Sequence, residues 1–165
     1  MRVLAGALLL VCSVAASAQA LKPWSGGATP ALELAAIDGG TQRLEDYRGR
    51  VVLVNFWATW CAPCLEEMPS IEKLRRSLDA RRFAVVAVNV GEGPRAAAGF
   101  AEKMGLGGFN VLLDRDTKTS RAWGARVLPA TFIVDPGGKV RYSYYGAIDW
   151  SRPDVRKAIS ELIVE

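Results

Sequence analysis

Histidine is absent from the 165-residue chain. That removes Ser-His-Asp and Cys-His catalysis, histidine-ligated zinc or copper, and haem attached through a Cys-x-x-Cys-His motif. Cysteine is scarce as well, since three residues cannot furnish a four-thiolate zinc site within one chain. No long basic run occurs, and 21 Lys+Arg against 17 Asp+Glu leave a net charge of only +4. Nucleic acid is therefore not an expected partner. The chemistry has to come from cysteine, carboxylates, lysine, arginine or backbone dipoles. What is present describes a folded chain: 50% hydrophobic and 23% charged residues suit one globular domain and neither a disordered nor a fibrous chain.

Residues 1–20, MRVLAGALLLVCSVAASAQA, carry one charge, Arg2, then an apolar run from Val3 to about Ala16. Ala16-Ser17-Ala18 and Ala18-Gln19-Ala20 offer A-x-A cleavage sites, the layout of a secretory signal peptide. An uncleaved membrane anchor is the alternative, but the run is shorter than the roughly 20 apolar residues a spanning helix needs. Lipid modification at Cys12 would want a small residue before it, where Val11 stands. Cleavage leaves 20 basic and 17 acidic residues, and only Cys61 and Cys64 as cysteines. Export implies an oxidising compartment such as the periplasm.

The rest, 21–165, shows no repeat, no low-complexity segment and no second domain. Residues 21–30, LKPWSGGATP, are expected to be an extended and exposed leader. A short strand over Leu32–Ile37 precedes the turn signal Asp38-Gly39-Gly40. The unalternating run Val51–Trp57 predicts a strand buried on both faces, and Phe83–Val90 a second. Between them, apolar residues at Leu65, Met68, Ile71, Leu74 and Leu78 predict a helix from Ala62 to about Asp79. Strand, helix, strand in this order is a parallel βαβ unit. Further elements are predicted as a helix over Pro94–Met104, a strand over Phe109–Leu113 and a short helix over Thr117–Trp123. A hairpin then joins Thr131–Val134 to Lys139–Tyr145 through Asp135-Pro136-Gly137-Gly138, and a terminal helix runs from about Ser151 to Ile163.

Trp60-Cys61-Ala62-Pro63-Cys64 sits where the first buried strand hands over to the helix. Unpaired N–H groups and the macrodipole at a helix N-terminus favour a thiolate on Cys61. Cys64 lies one turn along the same face, close enough to form a disulfide, and Pro63 suits the first turn. The expected asymmetry is an exposed, nucleophilic Cys61 and a buried, resolving Cys64. A structural cysteine pair or half of a metal site are the plain alternatives. The position at a strand-to-helix junction favours redox chemistry.

The segment NFWATWCAPC resembles the active-site strand and motif of thioredoxin-fold oxidoreductases. Pro69, five residues past Cys64, matches the helix-kinking proline of that fold, and Val127-Leu128-Pro129-Ala130-Thr131-Phe132 is similar to its cis-proline loop. Together with EEMP, VAVNVGE and LPATF in an exported chain, the pattern is most similar to the TlpA/ResA-like thiol–disulfide oxidoreductases, from about Ala31 to the end. The resemblance implies an α/β thioredoxin-like fold: a central mixed β-sheet flanked by helices, with an N-terminal hairpin and a central insertion at about residues 91–116. Thioredoxins place a buried Asp where Asn55 stands, whereas TlpA/ResA-like proteins carry a Glu where Glu67 stands. The cytochrome-maturation branch typified by CcmG often has an acidic residue at the position of Ala130.

The expected site is thus Cys61, Cys64, Glu67 and Pro129, with no small-molecule cofactor and no metal. Helical spacing puts Glu67 on roughly the face of both cysteines. Burial there should raise its pKa and let it take the Cys64 proton, while Glu66 points to solvent. Trp57 is expected in the core, Trp60 at the active surface, and Trp123 with Tyr142, Tyr144 and Tyr145 in hairpin packing. The resemblance implies protein disulfides as substrates, apocytochrome c or copper-site cysteines among them, and a membrane thiol donor of the CcdA or DsbD kind. Two other activities fit the same cysteines: a thiol peroxidase of the peroxiredoxin type and a Cu(I) metallochaperone.

Overall fold

The computed structural model describes residues 21–164. The expected signal peptide, with Cys12, lies outside the described residues. In chain order the elements are β1 (Lys22–Pro23), β2 (Glu33–Ala36), β3 (Thr41–Arg43), a 3-10 turn (Leu44–Tyr47), β4 (Val51–Trp57), α1 (Ala62–Arg76), β5 (Phe83–Val90), α2 (Pro94–Lys103), β6 (Asn110–Asp114), α3 (Lys118–Ala122), β7 (Ala130–Val134), β8 (Val140–Tyr145) and α4 (Pro153–Val164). The strands form one sheet in the order β1-β8-β7-β4-β5-β6-β2-β3. β4, β5 and β6 run parallel, and the other pairings are antiparallel. This is the mixed sheet flanked by helices that the sequence leads one to expect.

The continuous apolar runs of β4 and β5 follow from burial on both faces. Val51, Leu53 and Trp57 belong to one core with Met68, Ile71 and Leu74 of α1 and Val155, Ile159 and Leu162 of α4. Val52, Val54 and Phe56 point the other way, into a second core with Leu32, Tyr47, Trp123 and Phe132. At roughly 25 cal/mol per Å² of apolar surface, this two-sided burial is the main favourable term holding the sheet. Asn55 and Asn89 are the polar residues within these strands, and both are fully buried.

One expectation is corrected. Residues 21–30 are not simply an exposed leader: β1 pairs with β8, the Trp24 N–H donates to Arg141 O at 2.9 Å, and the Trp24 ring sits edge-on to Phe132 at 5.6 Å. An aromatic residue so near a sheet edge gains by covering the apolar surface beside it. Trp123 packs on the β7–β8 hairpin as expected, through Phe132 of β7. It is fully buried between Phe56 and Phe132, and its indole N–H reaches Ala31 O at 3.0 Å. The expected N-terminal hairpin forms between β2 and β3, with Leu34 opposite Gln42. The hairpin turn at Asp135–Gly138 is as expected, with Gly138 at φ 77 and its N–H donating to Asp135 O at 2.8 Å.

The topology brings three chain segments to one end of the sheet. β4 and β5 are parallel, so the β4–α1 and β5–α2 connections both leave at their carboxyl ends. β7 is antiparallel to β4, with Ala130 opposite Phe56, so the Pro129 loop enters at that same end. The stretch 91–116, read from sequence as an insertion, holds α2 and β6 and extends the parallel part of the sheet.

Candidate functional site

Cys61 is the N-cap of α1 and Ala62 its first residue, with Pro63 in the first turn where its missing N–H has no helical partner. Cys61 and Cys64 are joined in a disulfide, S–S 2.07 Å, across a Cα–Cα distance of 5.3 Å. The Cys64 N–H points at Cys61 Sγ at 3.3 Å. That N–H and the positive end of the helix would stabilise a thiolate on Cys61 after reduction. Among the two cysteines, Cys64 is wholly buried and Cys61 keeps 5% of its surface. Cys61 is thus less exposed than the sequence suggests: its sulfur turns onto the helix terminus, and the residue belongs to the same core as Cys64. The exposed groups at this end are its neighbours, Trp60 at 71% and Val127 at 60%. Trp57 is fully buried, its ring tilted against that of Phe100 at 5.4 Å between centroids.

Glu67 is one turn beyond Cys64 and only 2% exposed. Its Oε1 accepts from Asn55 Nδ2 at 2.7 Å. Its Oε2 accepts from Trp150 Nε1 at 3.0 Å and from the Ile148 N–H at 3.4 Å. Asn55 Nδ2 also donates to Thr131 Oγ1 at 2.9 Å, the residue opposite it in the β4–β7 pairing. Burial pushes the Glu67 carboxyl up to about 7, against the opposing pull of the Trp150, Asn55 and Ile148 donors. A cleft of about 500 Å³ between α1 and the segment after β8 reaches Glu67, bordered by Ser70, Lys73 and Asp149. Glu66 is exposed, as its helical position predicts.

Pro129 is preceded by a cis peptide bond from Leu128 and followed directly by β7. Its carbonyl accepts from the Gly146 N–H at 2.8 Å, which ties this loop to the end of β8. A second carboxylate, not anticipated from sequence, holds the turn ahead of Cys61. Glu92 accepts from the Thr59 N–H at 2.8 Å, the Thr59 hydroxyl at 2.5 Å and Asn89 Nδ2 at 2.7 Å. Partial burial alone would raise its pKa, but these donors bring it below the ordinary carboxylate value. Trp150, Ile148 and Thr131 were likewise missed. They meet Asn55 and Glu67 only through pairings of 76 to 83 residues in sequence separation, for which a single sequence carries no local signal.

A carboxyl whose pKa is higher folded than unfolded makes the folded state the stronger proton binder. Its contribution is therefore present below the unfolded value of 4.5 and is lost as pH rises through about 7. The oxidised protein should lose about 3 kcal/mol of unfolding free energy between pH 4.5 and pH 8 through Glu67. In urea titrations Glu67→Gln should flatten that part of the pH dependence. An equal slope in both proteins would show that Glu67 ionises normally.

The sequence matches the AhpC/TSA family over residues 25–143. The thiol-disulfide oxidoreductase ResA of Geobacillus thermodenitrificans (strain NG80-2) is 36% identical over 137 residues, covering 83% of this chain and 77% of that protein. A Chlorobium tepidum structure described as a thiol:disulfide interchange protein DsbE superposes with a TM-score of 0.65 at 30% identity, over 88% of this chain and 97% of that one. The secreted thiol-disulfide isomerase of Corynebacterium glutamicum does so with a TM-score of 0.74 at 25% identity, over 82% and 85%. With a Cys-x-x-Cys disulfide capping the helix that follows a buried strand, the chain belongs to the AhpC/TSA family as a ResA-like thiol–disulfide oxidoreductase of the thioredoxin fold.

Proposed function

We propose that the protein is an exported disulfide reductase, acting in the periplasm once residues 1–20 are removed. The observation that supports thiol–disulfide exchange here is the disulfide at the N-terminus of α1 with a buried carboxyl one turn behind its inner cysteine, and the reducing direction is proposed from the likeness to ResA. In the reduced enzyme the Cys61 thiolate attacks one sulfur of a substrate disulfide, forming a mixed disulfide and releasing the other substrate sulfur as thiolate. Cys64 then gives its proton to the Glu67 carboxylate and attacks Cys61 Sγ. The mixed disulfide breaks, the substrate leaves with two more electrons, and the enzyme is left as the disulfide described here. Glu67 suits the proton step because its burial sets it to ionise near neutral pH. Asn55 cannot take that proton, since an amide does not titrate, but it holds Glu67 Oε1 in place.

Trp60 and Val127 offer an apolar rim for the substrate, and the Pro129 loop lies at the same end of the sheet, where it would hold the substrate chain extended. Re-reduction needs an outside thiol donor, for which we propose a membrane transporter of the CcdA or DsbD kind. Apocytochrome c and copper-site cysteines are the proposed substrates. A peroxidase of the peroxiredoxin type would need a Thr hydroxyl free to activate its cysteine. Thr59, two residues before Cys61, instead donates its hydroxyl to Glu92.

Two results are expected. Cys64→Ala should trap substrates as mixed disulfides on Cys61, whereas Cys61→Ala should trap none in non-reducing gels. Trapping in equal amounts by both variants would reverse or erase the assigned roles. Glu67→Gln should slow disulfide reduction at pH 7 by about 10²-fold, the lower end of what a general base contributes. Glu66→Gln should leave the rate within about twofold, as expected of an exposed side chain away from the chemistry. An unchanged rate in Glu67→Gln would make Glu67 a structural acid only.

A further inference from the structure

Resting on the reading of Glu67 as the base for Cys64, we infer that Trp150 is the positioning residue of that base, its buried indole N–H fixing Glu67 Oε2 beneath α1. Trp150 is wholly buried, and its ring lies edge-on to Tyr144 at 6.4 Å. Packing alone would be served by any large apolar ring. The indole adds one donor, which usually finds a partner when buried, and its partner here is a carboxylate. The surrounding segment is pinned so that this donor has little freedom. The backbone N–H of Trp150 donates to Ser70 Oγ at 3.0 Å, while that hydroxyl donates to Glu67 O at 2.7 Å. The Ile148 N–H reaches the same Glu67 Oε2, and the Gly146 N–H bonds Pro129 O. Residues 146–150 therefore join the helix that carries the cysteines to the loop that carries Pro129.

The charge environment singles out the donors. Charged side chains bordering the cleft at Glu67 are Glu66 and Lys73 from α1 and Asp149 from the segment itself. β4 and β7 present neutral groups, Asn55 and Thr131. Cys64, on the same helix, is bonded in the disulfide and becomes titratable only after reduction. The displacement of Glu67 comes from burial and is opposed by the N–H donors of Trp150, Asn55 and Ile148, with none of the three charged groups among its causes. With two donors on Oε2 and one on Oε1, the carboxylate is held in one orientation for receiving a proton from the Cys64 side.

The test uses Trp150→Phe, which keeps a ring and deletes the donor, and benzothienylalanine at position 150, which replaces only the N–H by sulfur. Two quantities are read. One is the Glu67 titration midpoint, followed by carbon-13 NMR of the labelled carboxyl in the full oxidised protein. The other is the pH profile of disulfide reduction. A hydrogen bond to a charged group is strong enough that its loss should raise the midpoint by about one pH unit. The rate profile should move alkaline by the same amount, with the parent rate recovered at high pH. In a Glu67→Gln background the same change at Trp150 should have no further effect. A uniform rate loss at every pH, repeated in that background, would make Trp150 a packing residue and overturn the inference. So would an unmoved midpoint while Glu67→Gln still slows the enzyme. A moved midpoint with Glu67→Gln fully active would instead overturn the base itself, and with it the positioning role.

Discussion

A carboxyl group taken out of water must either keep its proton or collect donors from the chain around it. Glu67 does some of both, and the site is arranged around that compromise. Its three donors come from β4 and from the segment before α4, while the carboxyl itself rides on α1. Satisfying it therefore requires the strand, the helix and the segment to be docked together. Asn55 links the arrangement onward to Thr131 on β7, and Gly146 links it to the Pro129 loop. A group that costs stability as a carboxylate is thus placed one turn beyond the inner cysteine of the disulfide. Functional sites commonly hold this kind of displaced titration.

The two cysteines are served by different physics. Cys61 is governed by the helix terminus, where backbone N–H groups stand in for a cationic partner in a chain without histidine. Cys64 has no such support on its buried side, and a carboxyl one turn away is what the fold offers instead. Glu92 adds a third element by fixing the Thr59 turn ahead of Cys61 through three hydrogen bonds. Glu67 is on α1 and Glu92 in the connection from β5 to α2, so each can be altered separately.

Much of this was legible in the sequence because its signals are local. The β4 and β5 runs, the Cys-x-x-Cys at a strand-to-helix junction and the three-residue step from Cys64 to Glu67 all lie within 40 residues of each other. The observed β4 and β5 have the bounds expected from their composition, and Glu66 and Glu67 divide between solvent and core as helical geometry requires. What escaped was non-local. Trp150 resembles any tryptophan ahead of a helix until the β8–α4 segment folds back on α1. Trp24 and β1 look like a leader until β8 supplies an edge to pair with. Cys61 is buried within a core that also draws Ile133, Ile148 and Trp150 from much later in the chain.

The claim that most needs a direct measurement is the direction of electron flow. Neither the fold nor the placement of Glu67 sets it, because a base for the forward step is an acid for the reverse. Equilibrating the purified protein with glutathione redox buffers, and quantifying the Cys61–Cys64 disulfide at each poise, gives the reduction potential. A disulfide reductase should lie near thioredoxin, at about −270 mV. A value near that of DsbA, about −120 mV, would mean that the Cys61–Cys64 pair oxidises its substrates, and the reductase account would be wrong.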